Sequence, residues 1–519
     1  MKNLIFIYSL FCSSYLIGQT SALLDTNNIS ATVNSNGMLF ESSLATPGFE
    51  VPKGSGVHSI YTSNIWIGGL SASGELHTAA QMYGQNKNDF FYGPIGTSYT
   101  SILDYEDRYN KVWKVNKSTI DYHISNYSSV GYIVPESLAN WPGNGNVSNN
   151  EAAKLAPYID VNGNGTYDPI NGDYPNIRGD QAIFYIVNDD KQTHTQSGGT
   201  KLGVEIHGMV YSYANTLDSA LNQTVFVNFE IFNRSSTDYD SLYIGSFTDM
   251  DLGTYSDDYI GSDSLLNMFY TYNASNNDGL YGLPAPAQGV VFLNHPISKF
   301  LYFNSGLGVN GDPLVTSDYY NYLKGIWKDG SSLTYGNNGL FGATPANFMF
   351  SGYPELGTGW SEVSVFNSPN DRRGLMSLGP ITLQAGEKIC VDLAYPFARD
   401  YVGNNLTSVE LLRQRVQALQ TFYNSQGYIC ELPTGISNNS TQNIEIQVYP
   451  NPSNGLFSVK SDMKINNIEI MNILGELIYS SNSYSDKKEI DISNHPNGIY
   501  FYQIKFENDI TKTGKIIKH

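Results

Sequence analysis

The stretch VFVNFEIFN, residues 225–233, decides the fold. Val225, Val227, Phe229 and Ile231 alternate with Phe226, Asn228, Glu230 and Phe232. A period of two marks a β-strand, because successive side chains leave a strand on opposite faces. Working outward, AIFYIV (182–187), SLYIGSF (241–247), ICVDLAY (389–395) and the run Lys111–Val115 read as further short strands. Clusters of Gly, Asn and Pro punctuate them. Many short strands without intervening helices predict a mainly β, multi-domain β-sandwich body rather than βαβ units. One amphipathic helix stands out over Ser408–Tyr423, where Val409, Leu412, Val416, Leu419 and Phe422–Tyr423 share a face. Thr407 with Glu410 reads as its capping box and Gly427 as its stop, which predicts packing against the last body strands.

Composition agrees. Of 519 residues only 15% are charged, while 39 are Tyr and 49 are Gly. That usage excludes a coiled coil or helical bundle and suits strands joined by polar turns. The net charge is −19. Nucleic acid and anionic membranes are excluded as partners, since both require a basic surface. The acid is unevenly spread. Residues 446–519 hold eight basic and eight acidic residues, whereas residues 20–445 hold 20 basic and 40 acidic ones. The break places a domain boundary near residue 445, and the turn-rich PTGISNNSTQNIE (433–445) reads as a linker. Residues 20–432 are then an acidic β-rich body of two or more β-domains.

At the N-terminus, Lys2 precedes the apolar run LIFIYSLFCSSYLI, Leu4–Ile17. A basic residue and a short apolar run read as a secretory signal peptide over residues 1–19. The run is too short and too Ser-interrupted for a membrane span, which needs about 20 residues. The expected route is Sec-dependent passage through the periplasm. With Cys12 removed, Cys390 and Cys430 remain and can pair in an exported chain. Such a bridge contributes about 3–4 kcal/mol on a chain-entropy model.

Seven strand candidates crowd residues 446–519: Ile446–Tyr449, Leu456–Lys460, Asn467–Ile473, Glu476–Ser480, Lys488–Ile492, Gly498–Phe506 and Lys512–Lys518. They predict a seven-stranded, immunoglobulin-like β-sandwich. Pro450 and Pro452 stiffen the entry to the first strand, and Gly455 and Gly475 supply turns. The strings VYPNPSNGLFSV (448–459), IMNILGELIYS (470–480), HPNGIYFYQIK (495–505) and KTGKIIKH (512–519) resemble, in order, a type A C-terminal sorting domain of the type IX secretion system. The resemblance implies export across the outer membrane of certain Gram-negative bacteria. It implies recognition by the translocon, removal by a sortase-like peptidase, and release or attachment to surface lipopolysaccharide. Its recognition candidates are Tyr449, Pro450, Asn451, Pro452, Gly455, Leu474, Gly475, Gly498, Tyr500, Lys512, Lys515 and Lys518. The three lysines would form a basic last strand. The stretches 51–70, 319–330 and 371–400 resemble large surface proteins that carry this domain, which implies no activity for the body.

Two acidic segments suggest a metal. In DVNGNGTYDPINGD (160–173), Asp160, Asn162 and Asn164 stand at positions 1, 3 and 5 and Gly165 at 6, as at the start of a calcium loop. Position 12 is Asn171 rather than Glu, so Asp168 or Asp173 would have to complete the shell, with Thr166 also among the candidate ligands. The second segment, 249–263, holds Asp249, Asp251, Asp257, Asp258 and Asp263. Unpaired carboxylates repel one another, and a hard cation such as Ca2+ relieves that cost. The plainer reading of each segment is a solvated turn series.

Catalytic motifs are missing. There is no G-x-S-x-G, HExxH or P-loop, and GSG at 54–56 lacks a strand–helix setting. His194 and His207 have no zinc spacing. Trp66, Trp113, Trp141, Trp327 and Trp360 could stack on sugars if exposed. The sequence therefore predicts a secreted or surface-attached protein whose calcium-stiffened β-body serves adhesion or binds a glycan or protein. The alternative is a secreted glycoside hydrolase or peptidase, which would show a cleft with two convergent carboxylates of raised pKa.

Overall fold

In the computed structural model, the strand Thr224–Asn233 lies inside a nine-stranded sheet. The structure describes residues 20–42, 45–84, 87–99, 102–214, 217–428, 430, 446–472, 477–506 and 511–519. The proposed signal peptide and the 433–445 linker lie outside these residues. The chain divides into two compact units, Met1–Gly435 and Ile436–His519.

In the first unit the nine-stranded sheet orders Asp258–Asp263, Met268–Asn273, Ala287–Phe292, Lys388–Ala398, Thr224–Asn233, Val204–Ser212, Gln181–Asn188 and Phe91–Tyr92, with Trp113–Asn116 beside Gln181–Asn188. A five-stranded sheet orders Lys299–Phe303, Arg372–Leu383, Tyr239–Met250, Thr62–Ser71 and Leu76–Ala80. The alternation seen in the sequence separates two cores. Val225, Val227, Phe229 and Ile231 join the core shared with Ile65 and Ile244 of the smaller sheet. Phe226 joins a second core, under the helix Asn405–Gln426. The Ser63 and Tyr395 hydroxyls meet at 2.9 Å between the sheets.

Both faces of each sheet are covered, so period two no longer means one wet face. Beyond the smaller sheet, Trp66 stacks on Phe247 (ring centroids 5.2 Å apart) and meets Tyr319 of the helix Thr316–Leu323. All five tryptophans are buried, so none offers a sugar platform. The long helix starts earlier than the sequence suggested. Asn404, not Thr407, is its N-cap; its Oδ1 accepts from Leu406 N (2.9 Å) and Thr407 N (3.1 Å). Thr407 closes the box by accepting from Asn404 N (2.7 Å). The Cys390 and Cys430 sulfurs are bonded to each other.

In the second unit the seven predicted runs occupy five strands: Ile446–Tyr449, Leu456–Met471, Leu477–Asp491, Gly498–Phe506 and Thr511–Lys518. Two pairs of runs fuse, and register shifts between Lys460 and Asn467 let the long strands bend around one core. Phe457, Val459, Ile468, Ile490, Ile504 and Ile516 fill it. Among the described residues, no helix is long and apolar enough to cross a membrane.

Candidate functional site

Strand pairing builds an acidic cleft in the first unit. Asp249 lies near the end of Tyr239–Met250, opposite Arg373 in the neighbouring strand Arg372–Leu383. Met250 faces Arg372, so continuing the register one step sets Asp251 opposite Asp371. Among the described residues, Asp249, Asp251 and Asp371 are the one group of three or more His, Cys, Asp or Glu side chains that could hold a metal, with ligand atoms within 4.8 Å of one another. They open on a cavity of about 710 Å3 that Tyr61, Tyr83, Tyr255, Lys87, Asp312 and Arg373 also line.

Arg373 orients two of these carboxylates. Its Nε lies 3.5 Å from Asp249 Oδ2, its Nη2 donates to Asp371 Oδ2 at 2.8 Å, and its Nη1 to Asp312 Oδ1 at 3.2 Å. The Tyr83 hydroxyl donates to Asp249 Oδ2 at 2.5 Å. The Oδ1 atoms of both Asp249 and Asp371 are buried without a hydrogen-bond partner. An unpaired buried carboxylate oxygen is costly, and burial disfavours the ionised form of these groups. Burial, then the nearby Asp371, push the Asp249 carboxyl well above the ordinary range against the pull of Arg373. The same causes raise Asp251 to about 6. Burial raises Tyr83, and Asp249 adds to it. Burial opposes the Arg373 charge, yet Asp249 and Asp371 hold its pKa above the usual value.

The other residues of the second acidic segment go elsewhere. Asp258 opens the strand Asp258–Asp263, is fully buried, and accepts from Leu252 N at 3.1 Å. Burial pushes its carboxyl well up. Asp257 accepts from Asn273 Nδ2 at 2.7 Å and is raised to about 6 by burial, then by Asp278. Asp263 is buried and ion-paired with Arg413 of the long helix, which is also ion-paired with Glu355, its Nε lying 2.8 Å from Glu355 Oε1. Asp371 was missed by sequence reasoning because only the strand register brings it to Asp249.

The Asp160 loop closes on itself. Asp160 accepts from Gly163 N (2.7 Å), Asn164 N (3.2 Å) and Gly165 N (2.7 Å). Asp168 accepts from the side chains of Asn162, Asn164 and Asn171. The Asn171 bond and its neighbours hold the Asp168 carboxyl below its usual range. Asp173, buried, accepts from Val161 N and Asp168 N, and Thr166 donates to Asn164.

The sorting-signal candidates of the second unit divide into structural and surface residues. Asn451 pins the last strand: its Nδ2 donates to Lys515 O (2.9 Å) and its Oδ1 accepts from Ile517 N (2.8 Å). Gly455, at φ +106°, leaves no room for a Cβ, which would sit 2.6 Å from the Ser493 backbone. Tyr500 is buried with its hydroxyl on Pro496 O (2.6 Å). Lys518 is also buried and donates to Asn497 Oδ1 at 2.9 Å, so it is not part of a basic outer face. Tyr449, Pro450, Pro452, Gly498 and Lys515 are exposed. Tyr449 and Pro450 line a surface groove of about 440 Å3 with Leu456 and Glu489. Leu474, Gly475 and the Lys512 side chain lie outside the described residues.

Comparison with known proteins adds the following. No curated protein matches the chain. Among solved structures, a polysaccharide lyase aligns at 7% identity and TM-score 0.19, covering 60% of this chain and 34% of that chain; the aligned part spans about a third of the lyase. A biofilm-associated protein BSP domain aligns at 11% identity and TM-score 0.14, covering 100% and 83%. PorZ, a surface component of the type IX secretion system of Porphyromonas gingivalis, aligns at 9% identity and TM-score 0.13, covering 96% and 75%. These likenesses are too slight to carry an argument. Residues 447–519 match the family described as secretion system C-terminal sorting domain. The chain therefore ends in a type IX secretion C-terminal sorting domain, which makes it a protein exported to the cell surface or beyond.

Proposed function

We propose that the exported body binds a calcium ion between Asp249, Asp251 and Asp371, and through it an extracellular ligand. One observation carries this reading. Arg373 and Tyr83 occupy the Oδ2 atoms of Asp249 and Asp371, leaving two buried Oδ1 atoms unpaired and facing a third carboxylate. Hard oxygen donors at that spacing suit calcium, whose Ca–O distances are about 2.3–2.6 Å. Binding would turn mutual repulsion into attraction and stiffen the strand ends. The Asp160 loop lacks comparable unpaired oxygens, so the proposal rests on the cleft. In this reading the signal peptide takes the chain into the periplasm and the sorting domain takes it through the outer membrane. A sortase-like peptidase would then release it or join it to lipopolysaccharide, where the body serves adhesion.

The test is thermal unfolding of the full chain in millimolar calcium and again in chelator. At about 100 times the dissociation constant, calcium adds about 2.7 kcal/mol, which moves the midpoint upward by a few degrees. Asp371→Asn should abolish the shift while Asp160→Ala leaves it. No shift in the parent chain sinks the proposal.

A second reading has its own support. Asp251, held near pH 6 beside other carboxylates in a cleft, suits a general acid of a secreted glycoside hydrolase. That reading expects release of reducing ends from polysaccharide that persists in chelator and is lost in Asp251→Asn.

A further inference from the structure

We infer that the ligand of this cleft is a neutral carbohydrate, held through two adjacent hydroxyls on the cation and a ring face laid on Tyr255. The inference rests on the calcium reading above and specifies its ligand.

Three observations converge. The first is coordination. Calcium takes about six to eight oxygens, whereas Asp249 and Asp371 each have one oxygen already engaged, so the three carboxylates leave positions that water fills and that ligand hydroxyls can take over. The cavity of about 710 Å3 has room for them. Adjacent sugar hydroxyls present two oxygens at chelating distance.

The second is charge. Four carboxylates, Asp249, Asp251, Asp312 and Asp371, and two cationic side chains, Lys87 and Arg373, line the cleft. Their formal sum of −2 is cancelled by one calcium ion. A polyanion then meets no net attraction and must approach a body with twice as many acids as bases. A cationic peptide would compete with the ion for the same oxygens. Neutral hydroxyls suffer neither penalty, and the carboxylates not used by calcium can accept from them.

The third is the platform. Tyr255 is 56% exposed on the cleft wall, whereas all five tryptophans are buried. A sugar presents a C–H face to an aromatic ring and hydroxyls at its edge, which matches one exposed ring beside a polar floor.

The full chain should be applied to immobilised mannan, β-glucan, xylan and galactan, with polygalacturonate and oligolysine alongside, in calcium and in chelator. The expected result is calcium-dependent capture on at least one neutral glycan. Tyr255→Ala should weaken that capture about tenfold, the loss of one ring contact, without changing the calcium-induced rise in melting temperature. If calcium raises the melting temperature but only polygalacturonate, only oligolysine, or nothing is captured, the carbohydrate inference is overturned and the calcium site stands. If calcium has no thermal effect, the parent reading falls, and capture that survives chelator would likewise overturn chelation.

Discussion

Asp251 and Asp263 belong to one acidic segment, yet their surroundings differ. Asp263 is buried against Arg413 and needs no metal. Asp263→Ala leaves Arg413 with Glu355 and the Tyr270 hydroxyl, and the loss of one charged hydrogen bond, about 1.5–3 kcal/mol, is expected in denaturant titration, equal with and without calcium. Asp251 has a raised pKa of about 6 against 3.8 for a free side chain. A raised carboxyl contributes stability that is complete below about 3.8 and lost as pH rises through about 6. In chelator, then, the melting temperature should rise as pH falls from 7 toward 5. Calcium binds the ionised form, so its stabilisation should grow over the same interval as pH rises. Melting curves at several pH values check both signs, and parallel curves with and without calcium would remove the ion from this site. Sequence reading could not separate these aspartates, because composition records the charge and not the partner. In the sorting domain, Asn451 clamps the last strand while remaining on the surface. Asn451→Ala loses two bonds to the last strand, and a cost of about 1–3 kcal/mol is expected in the melting of that unit.

At the level of elements, strands were easier to read than helices. VFVNFEIFN was legible because alternation survives even when both faces are buried, each face simply entering a different core. The helices Lys117–Asn126 and Thr316–Leu323 were not. Rich in Ser, Thr, Tyr and Asn, they lack a clean apolar stripe, and tertiary packing holds them. The long helix was found through its apolar face, but its start was misplaced by one turn's geometry. Thr407 and Glu410 looked like a capping box, while the box actually formed joins Asn404 to Thr407. Asn404→Ala should therefore lower stability by about 1 kcal/mol. Glu410→Ala, on the exposed side, should change it by less than about 0.5 kcal/mol. In the second unit, seven runs became five strands because register shifts carry a strand around a bend without ending it.

For the whole molecule, the sorting domain sets destination and the body sets what is delivered. A chain lacking residues 446–519 should fold its body yet remain within the cell envelope, read by fractionation and immunoblot. Export of that truncated chain would break the link between the domain and the route. The mainly β architecture, the acidic body and the export domain were legible in the amino-acid string alone. Each is written in contiguous residues: alternation within a strand, composition over a segment, four motifs in order over 447–519. Folding alone made the cleft. Asp249 and Asp371 are remote in sequence and meet because two antiparallel strands set Asp249 against Arg373 and carry the register one step further. It also decided which acids are free to bind, since burial and an arginine partner, neither visible in a string of residues, leave Asp249 and Asp371 each with one unpaired oxygen.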